Sequence, residues 1–153
     1  MLLELHQFNL FQQQVLDTAD KRGDDGVKTI ATAEANAAET RGDALIDVQK
    51  KAGLKFDFPE ASSQTRDNRL GGLSGSVAEV YVREFYDAQR AQYASVLSTL
   101  TRYVAKPDND VVKAFAEKQK LIFEAGLKKL DAAQTEGPTK GIAKKPTTSK
   151  TKD

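Results

Sequence analysis

Apolar residues in this chain recur at three- and four-residue steps over four long stretches, and that spacing commits it to helices. The first stretch runs from about Leu2 to Arg22. It has Leu5, Phe8, Val15 and Ala19 in phase, with Leu10, Phe11 and Leu16 beside them. Gly23 is expected to end it, and Asp24 or Asp25 to cap the next helix by accepting from orphan N–H groups. The second helix spans about Asp25 to Ala52, with Val27, Ile30, Ala31, Ala37, Ala38, Leu45 and Val48 turned inward. Alanine dominates residues 31–44, which favours helix and permits close packing. Gly42 in its middle costs about 1 kcal/mol relative to Ala. Lys50 and Lys51 suit the C-terminal dipole, and Gly53 suits the residue just past the end.

Residues 53–73 form a connector. Pro59 follows Phe58 in extended chain, and Leu54, Phe56 and Phe58 are expected to fold back over one end of the core. Ser62 or Ser63 is placed to cap a short helix over Gln64–Leu70, which Gly71-Gly72 then breaks. Ser74 is the expected cap of the third long helix, about Gly75 to Ala105, with a stripe of Val77, Val80, Tyr81, Phe85, Ala88, Val96, Leu100 and Tyr103. Pro107 stops it. Asp108 or Asp110 is expected to cap the fourth, about Val111 to Gln134, whose stripe is Val112, Phe115, Ile122, Phe123, Leu127 and Leu130.

No stretch has the period-two alternation of a strand. Four long helices with short turns after the first and third predict an all-α, antiparallel four-helix bundle over residues 1–135, with a short extra helix in the 53–73 connector. The 153 residues suffice for one domain with its own core, and an apolar fraction of 39% is ordinary for such a domain. Residues 136–153 are Lys, Thr, Pro and Gly-rich, cannot offset their ordering entropy by burial, and are expected to be disordered.

Charge narrows the partners. The 23 basic and 22 acidic residues nearly cancel, which argues against nucleic acid as the main partner. The 136–153 segment carries five lysines against Glu136 and Asp153, so weak attraction to anionic surfaces is open to it. There is no cysteine, hence no disulfide, thiolate site or cysteine nucleophile. No apolar run is long enough to span a membrane. The opening Met1–His6 lacks the basic and apolar regions of a signal peptide.

Signatures of catalysis are sparse. No P-loop, dinucleotide fingerprint or nucleophile elbow occurs. The cluster Gly71-Gly72-Leu73-Ser74-Gly75 precedes a helix and has N–H groups that can face an anion, although a plain loop and cap explains it as well. His6 is the single histidine, and a terminal position suits packing better than catalysis. A carboxylate-bridged dimetal site needs Glu-x-x-His, which is absent. Glu34 and Glu84 fall near the apolar stripes and are the candidate oxygen ligands for a hard cation. Flanking carboxylates more often pair with bases such as Arg41 or Arg83. The aromatic band of the third helix (Tyr81, Phe85, Tyr86, Tyr93, Tyr103) suits core or a self-association interface, and buried phenols there need partners such as Gln89, Gln92 or Gln119.

The order of these segments resembles a bacterial family of exported, ferritin-like helical proteins, a domain of unknown function assigned to the outer membrane or periplasm. The segments that carry it are Val27-Lys28-Thr29-Ile30-Ala31, Lys51-Ala52-Gly53-Leu54, Leu70–Gly75, Phe85-Tyr86-Asp87-Ala88-Gln89 and, most clearly, Asp110–Lys118. The resemblance covers roughly residues 5–134. It implies a ferritin-like fold and an envelope location. It also implies histidines in the second, third and fourth helices, which in register fall at Ala38, Tyr93 and Gly126, and an acidic residue in the first, which falls near Gln13. None of the four is a ligand, so the resemblance implies a bundle without the family's metal cluster and without a cofactor. The expected function is therefore non-enzymatic, through a protein partner or self-association in the cell envelope. The alternatives are a metal-binding stress or redox protein using bundle carboxylates, and a neutralising immunity or inhibitor protein.

Overall fold

The computed structural model describes residues 1–61 and 63–136, with side chains as far as Gln134. These residues are all-α. The helices are α1 (Leu2–Arg22), α2 (Asp25–Lys51), α3 (Gln64–Gly75), α4 (Ala78–Ala105) and α5 (Asp110–Glu136). α1 packs along α2 and α4 along α5, while α1·α4 and α2·α5 contacts join the two pairs into a helical bundle. The short α3 lies in the connector against α1 and α4. Ser62 and all of the expected tail except Glu136, which closes α5, lie outside the described residues.

Local chemistry explains most of the boundaries. Asp24 caps α2 by accepting from Val27 N at 2.8 Å. Gly53 follows α2 with a φ of 67°, a left-handed conformation that glycine adopts at little cost. Gly23 is needed for a different reason. Its backbone is not left-handed, but a methyl there would come within 2.6 Å of Val27 Cγ1 and 2.7 Å of Ala19 O. α5 is capped by Asn109, not by the expected Asp108 or Asp110; its Oδ1 accepts from Val111 N and Val112 N at 3.0 and 3.1 Å. Asp108 instead accepts from the Tyr103 hydroxyl at 2.6 Å.

The connector departs from expectation. Gly71-Gly72 do not break the helix, which continues to Gly75. Leu73 is buried in the core, so packing holds the glycines in helix against their propensity. The break falls at Ser76, whose hydroxyl oxygen lies 2.9 Å from Gly72 O. Ser74 therefore caps nothing, α4 begins at Ala78, and the glycines present no helix N-terminus to an anion. Arg66 holds α3 to its neighbours through Glu4 of α1 at 2.8 Å and Gln92 of α4 at 3.2 Å. Phe58 folds back as expected, stacking on His6 at 4.8 Å between centroids, but Leu54 and Phe56 stay partly exposed.

The core is built from Leu5, Phe8, Phe11 and Val15 of α1, Val27, Ala31 and Leu45 of α2, Tyr81, Phe85, Val96 and Leu100 of α4, and Val112, Ala116 and Phe123 of α5. Three residues assigned to the inward stripes face out: Ala37, Val77 and Ile122 are exposed. The inward face of α2 follows 27, 31, 34, 38, 41, 45 and 48, alternating steps of four and three. Ala37 is off that line, and the line includes Glu34 and Arg41.

Candidate functional site

The four-three alternation carries polar residues into the middle of the bundle on every long helix. On α1 it brings in Asn9 and Gln12, on α2 Glu34 and Arg41, on α4 Gln89, Gln92 and Tyr93, and on α5 Gln119, all largely buried except Glu34, which is half-buried. Buried groups of this kind must find partners. Gln12 and Gln89 find each other, with both amides donating across the α1–α4 interface at 2.7 and 2.9 Å.

The densest grouping centres on Tyr93. Its hydroxyl donates to Glu34 Oε1 across the bundle. Its ring packs against Phe8 and Phe123, with centroids at 5.3 and 5.0 Å. Arg41 lies over the same two rings, its guanidinium carbon 4.9 Å from the Phe8 centroid and 5.2 Å from that of Phe123. Arg41 Nε also donates to Asn9 Oδ1 at 2.6 Å. Burial lowers the Arg41 pKa from its ordinary value, while the nearby Glu34 carboxylate opposes that shift. The Tyr93 phenol is pushed far up, first by burial and then by the Glu34 carboxylate, with Arg41 working in the other direction. Tyr93 is therefore a neutral donor at any ordinary pH.

Gly126 completes the centre. A methyl at that position would overlap Tyr93 Cε1 and come within 3.0 Å of its Cζ and Oη. The phenol ring thus occupies the space a side chain on α5 would use. Ala38 is buried on the same line of α2, one turn from Glu34 and from Arg41. Tyr93 and Gly126 are in contact, so two of the positions reached by counting in register come together, and Tyr93 alone of the two meets the Glu34 carboxylate. Gln13 is exposed, and the buried polar residue of α1 at that level is Gln12.

The two candidate carboxylates stand apart. Glu34 meets Tyr93, whereas Glu84 accepts from the Ser76 hydroxyl at the junction of α3 and α4. Glu84 lies about 13 Å along α4 from Tyr93, at roughly 1.5 Å of rise per residue. Among the described residues no three His, Asp or Glu side chains gather closely enough to hold a metal ion. His6 donates to Pro59 O at 2.6 Å and stacks on Phe58, which ties the connector to α1. In the centre itself Glu34 Oε2, Arg41 Nη2 and Asn9 Nδ2 are buried without a hydrogen-bond partner. No helix among the described residues is long and apolar enough to cross a membrane.

Asn9 is the residue that an apolar-stripe reading passes over, and Arg41, expected as a flanking partner for a carboxylate, is instead buried. Their signal is present in the sequence as polar residues in phase with apolar ones. Comparison of the chain with family models, with curated proteins and with solved structures gives no match.

Proposed function

We propose that this chain is a non-enzymatic helical protein of the bacterial cell envelope, with an antiparallel, ferritin-like four-helix arrangement, that acts by binding or assembly. One observation carries the non-metal part of this reading: a guanidinium is buried where a ferritin-like bundle would gather metal ligands. Arg41 lies on the rings of Phe8 and Phe123 beside Glu34, so the single carboxylate there already faces a fixed positive charge. A divalent cation entering that centre would meet Arg41 as a like charge in a medium of low dielectric. The Tyr93 ring, seated against Gly126, takes up the remaining room. The chemistry is that of a centre that fixes helix register.

The envelope assignment and the ferritin-like ancestry rest on the run of segments from Val27–Ala31 to Asp110–Lys118. Fractionation of cells making the protein from its own gene tests the location, and chemical crosslinking in those cells tests the mode of action. Recovery with the envelope, crosslinked to a stoichiometric partner or to a second copy, is the expected result. Recovery in the cytoplasm, or robust redox or hydrolytic turnover by the purified protein, would overturn the proposal.

A second reading has its own observation. Glu34 Oε2 is buried and unpartnered, so a metal-binding role would run through that oxygen. Substituting Glu34→Gln abolishes binding on that reading, and binding that survives the substitution rejects it.

A further inference from the structure

We infer that a cavity at one end of the bundle, separate from the Tyr93 centre, is a binding site for a small organic ammonium ion, an alkyl- or arylamine in its protonated form. The cavity has a volume of 740 Å³ and opens between the start of α2, the first turns of α4 and the last turn of α5. That volume lies within the range of about 300–1,000 Å³ typical of small-molecule sites. Its walls are apolar where Ile30, Val82 and Ala133 meet. Its rim is acidic, with Asp24, Asp25 and Glu79 against the single base Arg83. An amphipathic cation fits this division, because its hydrocarbon part takes the walls and its charge stays at the rim.

Tyr86 is the observation that makes this more than a cluster of acids. Its side chain is only 7% exposed and lines the cavity. The ring is packed away while the hydroxyl oxygen stays open to the cavity, where it can take a hydrogen bond from whatever enters. The other three tyrosines have partners: Thr18 for Tyr81, Glu34 for Tyr93 and Asp108 for Tyr103. Tyr86 has none among the described residues. Its oxygen lies 3.8 Å from where a methyl on Gly26, another lining residue, would sit. The phenol oxygen is thus an unused acceptor at the cavity wall, suited to an N–H donor. Burial pushes the Tyr86 phenol up, and the Asp24 carboxylate adds to that, so the group remains neutral and able to accept.

The charges favour a cation over an anion. The start of α2 would attract an anion, but Asp24 already accepts from its Val27 amide, and Asp25 adds a second negative charge in the first turn. α5 presents the opposite end of its dipole, because its last turn begins at the lining residues Ala133 and Gln134. The carbonyls of a last turn carry partial negative charge. Arg83 follows Glu79 by one helical turn and forms no ion pair among the described residues, which leaves the Glu79 carboxylate open to a ligand. Three carboxylates against one guanidinium leave the site with a net charge of −2.

The test uses hexylammonium as the probe and hexan-1-ol as its uncharged counterpart, on the full chain, by calorimetric titration and by saturation-transfer NMR. Saturable one-to-one binding of hexylammonium is expected, with hexan-1-ol at least about tenfold weaker. Substituting Asp25→Asn with Glu79→Gln, both at exposed positions, is expected to weaken hexylammonium about tenfold while leaving the melting curve in place. Substituting Tyr86→Phe keeps the ring and is expected to weaken it a few-fold. Equal binding of hexanol and hexylammonium overturns the inference, as does unchanged affinity in both variants or an absence of saturable binding at millimolar probe.

Discussion

Tyr86 and Tyr93 stand two turns apart on the same helix and are both more than nine-tenths buried, yet they do opposite things. Tyr93 donates to Glu34, fills the notch left by Gly126 and packs on two phenylalanines. Tyr86 packs edge-on against Phe85 and leaves its hydroxyl without a partner at a cavity wall. The difference lies in what the facing helices offer. Opposite Tyr93, α2 supplies a carboxylate and α5 a glycine. Opposite Tyr86, α2 supplies Gly26 and Thr29, and α5 has reached its last turn. The same side chain therefore closes the bundle at its middle and lines an opening at its end.

Removing the charge at the middle should have the largest effect. Arg41→Ala strips the cation from the Phe8 and Phe123 rings, and leaves Asn9 Oδ1 and the Glu34 carboxylate without it. A loss of about 4 kcal/mol in urea unfolding is expected; a loss below about 1 kcal/mol would mean that the centre does not hold the bundle. Gly126→Ala should come next. Alanine is the better helix former, but its methyl overlaps a ring that has no room to retreat, so a net loss of about 2–3 kcal/mol is expected. Gly42→Ala is the control, since nothing lies within 4 Å of a methyl there, and it should gain up to about 1 kcal/mol. Equal effects at the two glycines would remove the steric part of the comparison.

Tyr93→Phe leaves Glu34 Oε1, on a half-buried side chain, without its donor, and should cost about 1–3 kcal/mol. The same variant has a signature in alkali. A phenol whose folded pKa is raised above the unfolded value of ~10 keeps its proton longer in the folded chain. Its contribution to stability is complete below pH ~10 and declines as the pH rises above that value. Between pH ~10 and ~11 the wild type should therefore lose stability more steeply than Tyr93→Phe, by up to about 1.4 kcal/mol per pH unit. Parallel slopes would show that Tyr93 ionises freely. Tyr86→Phe is the smallest change. With no bond to lose, it should shift stability by no more than about 0.5 kcal/mol, and a larger loss would reveal a partner for its hydroxyl.

Most of the helical layout is legible in the sequence, because apolar spacing, Asp24 and Gly53 act locally. What was not legible depends on packing. Gly71-Gly72 have the composition of a break, but Leu73 buries itself and carries the helix through them. Asp108 has the composition of a cap, but Tyr103 takes its carboxylate and Asn109 caps instead. The centre was half legible. Glu34 stands out as an acid near a stripe, whereas Arg41 looks like its surface partner until the 27–48 line is drawn through it. Counting in register reaches Tyr93 and Gly126, but only the fold shows that the ring of one fills the space beside the other. The Tyr86 cavity leaves no motif, because it is made where three helix ends fail to meet.

The most direct test of a centre closed on itself is a calorimetric titration of the untagged protein with iron(II), manganese(II) and zinc(II), preceded by elemental analysis and repeated on Glu34→Gln. A carboxylate facing Arg41 and Tyr93 predicts no stoichiometric metal and indistinguishable titrations for the two proteins. One-to-one binding by the wild type that disappears in Glu34→Gln would contradict it and make Glu34 a ligand.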